Sequence, residues 1–329
     1  MRLPGARVLR RPSLRRVVGG LRRPDIDLTA RLGALTLPNP VMTASGTAGH
    51  GDELGSYLQL DTLGAVTVKS LAAFEWAGNP PPRLHPTAAG MLNSIGLQGP
   101  GIERWLADEL PVLAGCRVVV SIWGRTVADY EAAATMLADA PDNVVALEVN
   151  LSCPNLDGGR HLFAHDAGLT REVMAATAVF TRPRFAKLSA NTIELPRIAT
   201  AAGEAGADAV TVANTMLGMV IDIEQRKLAL GGGGGGLSGP AIHPIAVRAV
   251  FEVRAANPSL PIIGVGGIAS GRDAIEMIMA GANAVQVGTA SFADPRAPAR
   301  VLDEMREWCR SHGVNRLDEI ISAAQPDRS

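Results

Sequence analysis

Aromatic side chains are scarce, at 4% of the 329 residues, and cysteine occurs three times, at Cys116, Cys153 and Cys309. So few rings argue against a stacking platform for nucleic-acid bases. Distant cysteines in odd number, with no C-x-x-C pair, point to a reducing, cytoplasmic compartment rather than a disulfide framework. Three thiolates are too few for a four-cysteine iron–sulfur cluster, so any such centre would sit on a partner. Neither sign of charge is in excess, with 31 basic side chains against 32 acidic ones, and no global field draws in nucleic acid. No apolar run approaches the length that crosses a bilayer.

What is abundant is glycine, 36 residues, within a chain that is 47% hydrophobic and long enough to bury a large core. The first two dozen residues carry eight arginines and no acid. Their prolines and Gly-Gly pair interrupt any long amphipathic helix, so residues 1–25 read as a basic, disordered extension, with an Arg-rich targeting arm as the alternative. Residues 26–329 read as one domain.

IDLTARLGALTLPNP predicts a hairpin turned at Gly33. Eight short β-branched runs follow, at 40–46, 65–70, 117–124, 146–152, 184–189, 209–215, 261–267 and 284–290, alternating with Ala-rich stretches of helical spacing such as TVADYEAAATMLADA and GRDAIEMIMAGA. A doubly wound open sheet shares this alternation. The polar residues favour a (β/α)8 barrel instead: Lys69, Ser70, Ser121, Asn150, Ser152, Lys187, Asn214, Thr215 and Thr289 all fall at C-terminal strand ends, the face on which barrel enzymes build their sites. The stretch 71–100 reads as a lobe over that mouth.

Glycine loops at GGGGGGLSGP (231–240), GVGGIAS (264–270) and GTASF (288–292) suit a phosphate held by backbone N–H groups beside a helix N-terminus. Tight-turn chemistry is their bland alternative. Lys69 and Lys187 would enter one mouth from strands two and five, where an anionic ligand would offset the cost of burying them. His161 and His165 have metal-pair spacing but lie in a loop-like stretch without an acidic partner, so no metal site is expected. Cys116 and Cys309 read as packing residues. Cys153 differs: Asn150, Ser152 and Asn155 surround it just past a strand end, and polar access of that kind suits a thiol acting as a base.

Taken together, GNPPPRLHPT with MLNSIGLQGPG (78–101), VNLSCPN (149–155), ANTMLG (213–218), GGLSGPAIHP (235–244) and GVGGIASGRDAIEMIMAGANAVQVGTA (264–290) resemble the class 1 dihydroorotate dehydrogenases. NSIGLQGPG is more similar to the NAD-linked class 1B catalytic subunits than to the fumarate-using branch. The resemblance implies an FMN-binding TIM barrel that oxidises dihydroorotate to orotate in de novo pyrimidine biosynthesis. Cys153 would take the proton from C5 while a hydride passes from C6 to flavin N5. Substrate would be held by Lys69, Asn93, Gly96, Leu97, Asn150, Asn155, Asn214 and Thr215. FMN would lie against Ala44, Ser45, Gly46, Lys69, Ser70, Ser121, Asn150 and Lys187, its phosphate near Gly239, Gly266, Gly267, Gly288 and Thr289. A homodimer and a separate subunit with FAD and an iron–sulfur cluster are implied as partners.

Four segments depart from the family pattern: SIWG (121–124), where Asn usually stands in place of Ser121; Ala190 in KLSAN, where proline is common; the loop 157–166; and the six glycines at 231–236, expected to lengthen or loosen the loop near the phosphate. They keep two other readings open, a flavoprotein acting on another dihydropyrimidine and a phosphate-binding barrel without redox chemistry.

Overall fold

The computed structural model describes residues 26–152 and 163–326. Eight strands form its centre: β1 (Val41–Thr43), β2 (Val66–Thr67), β3 (Val118–Ile122), β4 (Val144–Asn150), β5 (Arg184–Lys187), β6 (Ala209–Val212), β7 (Ile262–Val265) and β8 (Ala284–Val287). They pair in parallel in the order β1-β8-β7-β6-β5-β4-β3-β2. A parallel bridge between Met42 and Ala65 returns β2 to β1 and closes the barrel. Thr43 reinforces the seam, its hydroxyl donating to the Thr67 carbonyl at 3.1 Å and accepting from the Thr67 N–H at 2.8 Å.

Strands β3, β6, β7 and β8 are buried at every residue, as expected where one face meets the barrel interior and the other meets helices. Those helices are α1 (Ile102–Asp108), α2 (Val127–Leu137), α3 (Ala167–Ala176), α4 (Leu195–Glu204), α5 (His243–Ala256), α6 (Gly271–Ala280), α7 (Ala290–Ala293) and α8 (Ala297–Ser311). Helix α4 shows the logic. Pro196 sits in its first turn, where a missing N–H costs nothing, and Leu195, Ile198, Ala199 and Ala202 turn one stripe to the core. Helices α2 and α6 each begin with a capping box, Thr126 with Asp129 and Ser270 with Asp273.

The predicted hairpin is present as Ala30–Leu32 and Leu35–Leu37, with Gly33 at φ +61°. A Cβ on Gly33 would lie 2.9 Å from that of Asp208, just before β6, so the hairpin plugs the N-terminal end of the barrel. Every strand ends before its sequence run does, and all but β4, which starts two residues earlier than its run, are shorter. The last residues of each run leave the ladder and turn their polar groups into the mouth.

Over that mouth lies a second sheet. Leu84–Thr87 and Gly90–Asn93 form a hairpin within the lobe expected at 71–100, and Gly235–Ser238 and Met216–Gly218 extend it antiparallel. The last two of the six glycines are therefore strand residues rather than loop. Gly235 is a strand residue whose Cβ would collide with the Asn93 carbonyl, and Gly236 one whose Cβ would collide with the Thr215 side chain. Glycine is required here by close approach, which is the reverse of slack.

Thr126→Ala should lower stability by about 1 kcal/mol, with Thr126→Ser nearly neutral because it keeps the capping oxygen. Thermal unfolding of the two variants beside the parent checks this; equal losses in both would show that the oxygen is not what caps α2.

Candidate functional site

A cavity of about 910 Å³ opens between the barrel and the sheet above it. Its walls draw on widely separated strand ends. Ala44, Ser45 and Gly46 follow β1, Lys69 and Ser70 follow β2, Asn150 ends β4, Lys187 ends β5, and Asn214 and Thr215 follow β6. Gly266 and Gly267 follow β7, Gly288 and Thr289 follow β8, and Asn93, Gly96, Leu97 and Gly239 come from the covering segments. Ser121 alone of the described candidates stays off the wall, fully buried behind Ser70 with the two hydroxyl oxygens 2.8 Å apart. Cys153, Asn155 and His161 lie outside the described residues.

The amides are linked. Asn150 donates to the Ser70 hydroxyl at 3.2 Å, and its oxygen accepts from the Ser152 N–H at 3.2 Å and the Asn214 amide at 3.4 Å. Tyr130 of α2 donates to the Asn150 carbonyl at 2.7 Å, fixing the end of β4. Asn93 donates to the Gly236 carbonyl at 3.2 Å across the upper sheet. These carboxamides face a space where a planar heterocycle could exchange N–H and C=O contacts with them.

Beneath the cavity sits a polar layer that sequence reasoning missed. Lys187 and Glu148 form an ion pair at 3.3 Å with side chains 7% and 0% exposed. The other Glu148 oxygen accepts from Gln286 at 2.7 Å and from Thr211 at 3.1 Å. Removing one partner of such a buried pair costs about 3–5 kcal/mol, so Lys187 is held in place rather than merely tolerated. The available signal was Glu148 itself, a carboxylate inside the apolar run ALEVNLS. Trp76, Trp123 and Arg125, also on the cavity wall, were likewise not singled out.

Lys69 is the contrasting cation. It is half-buried, donates to the Gln98 carbonyl at 2.6 Å, and has no carboxylate partner among the described residues. Burial, and then the charge of Arg83, lower its pKa. An anion arriving from solution would relieve both effects.

The glycine loops converge opposite the amides. A Cβ on Gly267 would lie 2.9 Å from the Gly239 carbonyl oxygen, and one on Gly239 would lie 2.7 Å from the Gly90 Cα. The backbones can approach only because these positions carry no side chain. At Gly46, by contrast, a Cβ would meet nothing within 4 Å and would project into the cavity. The turn at Pro240–Ile242 leads directly into α5, whose N-terminal potential favours an anion nearby.

Residues 27–308 match the family model described as dihydroorotate dehydrogenase. The chain is 47% identical over 302 residues to a protein of Desulforudis audaxviator named dihydroorotate dehydrogenase B (NAD(+)), catalytic subunit, covering 91% of this chain and 98% of that one. Identically named proteins of Geobacter sp. strain M21 and Alkaliphilus metalliredigens are 43% and 44% identical. They cover 93% and 90% of this chain, and 100% and 98% of their own lengths.

Close to Lys69, His50 accepts a hydrogen bond at its carbonyl from the Trp105 indole at 2.7 Å. Burial, reinforced by Lys69 and opposed by Glu53, lowers its imidazole pKa from 6.5 to about 4. The unfolded chain takes up a proton near 6.5 while the folded protein does not, so this site costs stability as pH falls from 6.5 towards about 4. The His50 ring proton resonances should stay flat down to roughly pH 5, and His50→Gln should reduce the acid-side fall in melting temperature. A His50 titration midpoint near 6.5 would contradict the burial argument.

Proposed function

The chain belongs to the dihydroorotate dehydrogenase family, and from that premise we propose that it oxidises dihydroorotate to orotate in de novo pyrimidine biosynthesis, with FMN bound at the barrel mouth. The observation that carries this reading is the single cavity joining Lys69 and the carboxamides on one side to the three glycine loops on the other. At about 910 Å³ it stands near the top of the range for ligand sites, roughly 300–1,000 Å³, as a flavin and its substrate together require.

The residues fit FMN. Gly239, Gly266, Gly267, Gly288 and Thr289 offer a phosphate backbone amides without obstructing side chains, while the open space at Gly46 leaves room for a ring against Ala44, Ser45, Ser70 and Asn150. Ser121 acts through Ser70. When bound, FMN supplies the two-electron acceptor for the hydride of substrate C6. Lys187, positioned by Glu148, brings positive charge to the cavity floor. Lys69 pairs with the substrate carboxylate, whose charge opposes the burial and the Arg83 charge that lower the lysine's pKa. Asn93, Asn150, Asn155, Asn214 and Thr215, with the Gly96 and Leu97 backbone, match the ring's alternating donors and acceptors. Cys153, three residues beyond Asn150, takes the proton at C5, a task for a thiol whose pKa lies near working pH.

A separate subunit carrying FAD and an iron–sulfur cluster would take up the electrons, which agrees with the shortage of cysteine here. Residues 26–329 act as one unit that pairs with a second copy in the cytoplasm. Leu217, Met219, Ile221 and Ile223, 57–78% exposed along one short segment, support assembly, since apolar rows of this kind are commonly covered. Among the described residues no helix is long and apolar enough to cross a membrane.

The purified protein should be yellow, and anaerobic dihydroorotate should bleach the flavin band. A yellow protein bleached only by a non-acidic dihydropyrimidine would move the substrate, and a colourless one after reconstitution would remove the redox reading. Cys153→Ala should retain FMN and lose at least about 100-fold in reduction rate; an unchanged rate would exclude it as the base. Light scattering should give about twice the 34.3 kDa chain mass, and a monomer at micromolar concentration would rule out the homodimer.

A further inference from the structure

Behind the substrate side of the cavity, residues from two loops build a small apolar cluster separate from the main core. Trp123, just past β3, packs with Ala72, and Phe74, Trp76 and Leu97 close around them. The Trp123 ring meets Phe74 and Trp76 edge-on at 5.8 and 6.3 Å. Arg125 lies over the other two rings, its guanidinium carbon 4.0 Å from the Trp76 centroid and 5.1 Å from that of Phe74. Its Nε is buried and finds no acceptor among the described residues, so the ring faces are what hold this cation.

The cluster grips one short segment. The Trp76 indole donates to the Gly96 carbonyl at 2.9 Å, and the backbones of Trp76 and Gly99 exchange two hydrogen bonds of 3.0 Å. Between those anchors Leu97 is held at φ +63°, a left-handed conformation that a branched side chain resists and that needs outside restraint. The next residue, Gln98, offers its carbonyl to Lys69. A restraint applied at Trp76 is therefore passed along three residues to the cavity's carboxylate-binding lysine.

We propose that Arg125 and Trp123 are positioning residues: clamped on Trp76, they set the Gly96–Leu97–Gln98 segment and through it Lys69, and so determine how tightly an anionic substrate is held. This rests on the dihydroorotate reading for the identity of the anion, but not for the clamp itself. The alternative within the same geometry is that Arg125 touches the anion directly.

Two readouts on Arg125→Met, Arg125→Lys, Trp76→Phe and the Arg125→Met/Trp76→Phe pair separate these cases. The first is hydrogen exchange at the Leu97 and Gln98 amides, which needs no substrate. Exchange should quicken in Arg125→Met and stay near parental in Arg125→Lys; unchanged exchange in Arg125→Met overturns the clamp whatever the ligand. The second is steady-state kinetics with dihydroorotate. Arg125→Met should raise KM by about 3- to 30-fold, as the loss of a partly desolvated cation–π contact predicts, with kcat and FMN content little changed. The double variant should be no worse than the poorer single one, because both act through one segment; additive losses would instead mean direct contact by Arg125 and would refute a positioning role. Were the parent to show no oxidation of dihydroorotate, the functional reading would fall while the exchange result still judged the clamp.

Discussion

A carboxylate and an ammonium, Glu148 and Lys187, share the dry interior of this barrel, and much of the polar architecture follows from keeping both satisfied. Barrel interiors are usually layers of branched apolar side chains. Here Thr43, Thr67, Thr211 and Gln286 replace part of such a layer, and Gln286 and Thr211 complete the hydrogen bonding of Glu148. Adjacent strands make this possible, since β4 and β5 pair Asn150 with Lys187 and Glu148 with Phe185. Lys187 reaches back two residues in register to its counter-ion while its own strand end remains on the cavity floor.

That arrangement divides labour between the two lysines. Lys187 is neutralised from below and contributes a fixed positive pole against a balanced background. Among the described residues Lys69 meets only a backbone carbonyl, and burial and Arg83 push it towards its neutral form, so an anion there would find it without a carboxylate competitor. One position belongs to the scaffold, and the other is the one proposed for the ligand. The same division separates the lower cavity, built on strand ends, from its roof, where residues 84–93 and 216–238 pair into a sheet contributed by distant loops.

Much of this was legible in the residues. The eight strands follow from short β-branched runs between helical stretches, because a fully buried parallel strand must be apolar on both faces. The mouth follows from the polar residues ending those runs, because nothing else explains amides and lysines at the edge of a core. Lys69, Asn150, Lys187 and Asn214 were found that way and do meet in one cavity. The motifs carrying the family likeness lie in the same loops, and the comparisons bear out the family.

Other features depend on neighbours that are remote in the chain. Glu148 reads locally as an anomaly in an apolar strand; strand pairing brings Lys187 to it, and the curvature of the barrel brings Thr211 and Gln286. The six glycines read locally as slack, yet Asn93 and Thr215 crowd the last two, Gly235 and Gly236, from outside. Ser121 sits at a strand end like its fellows, but the seam with Ser70 puts it one layer back. Periodicity, burial and the chemical types at each strand end could be read from the residues alone, because these are properties of a residue and its near neighbours. Which charges pair, which glycines are squeezed and which hydroxyl reaches the cavity were decided by tertiary structure, because electrostatic pairing and steric exclusion act through space over a few ångströms, whatever the separation along the chain.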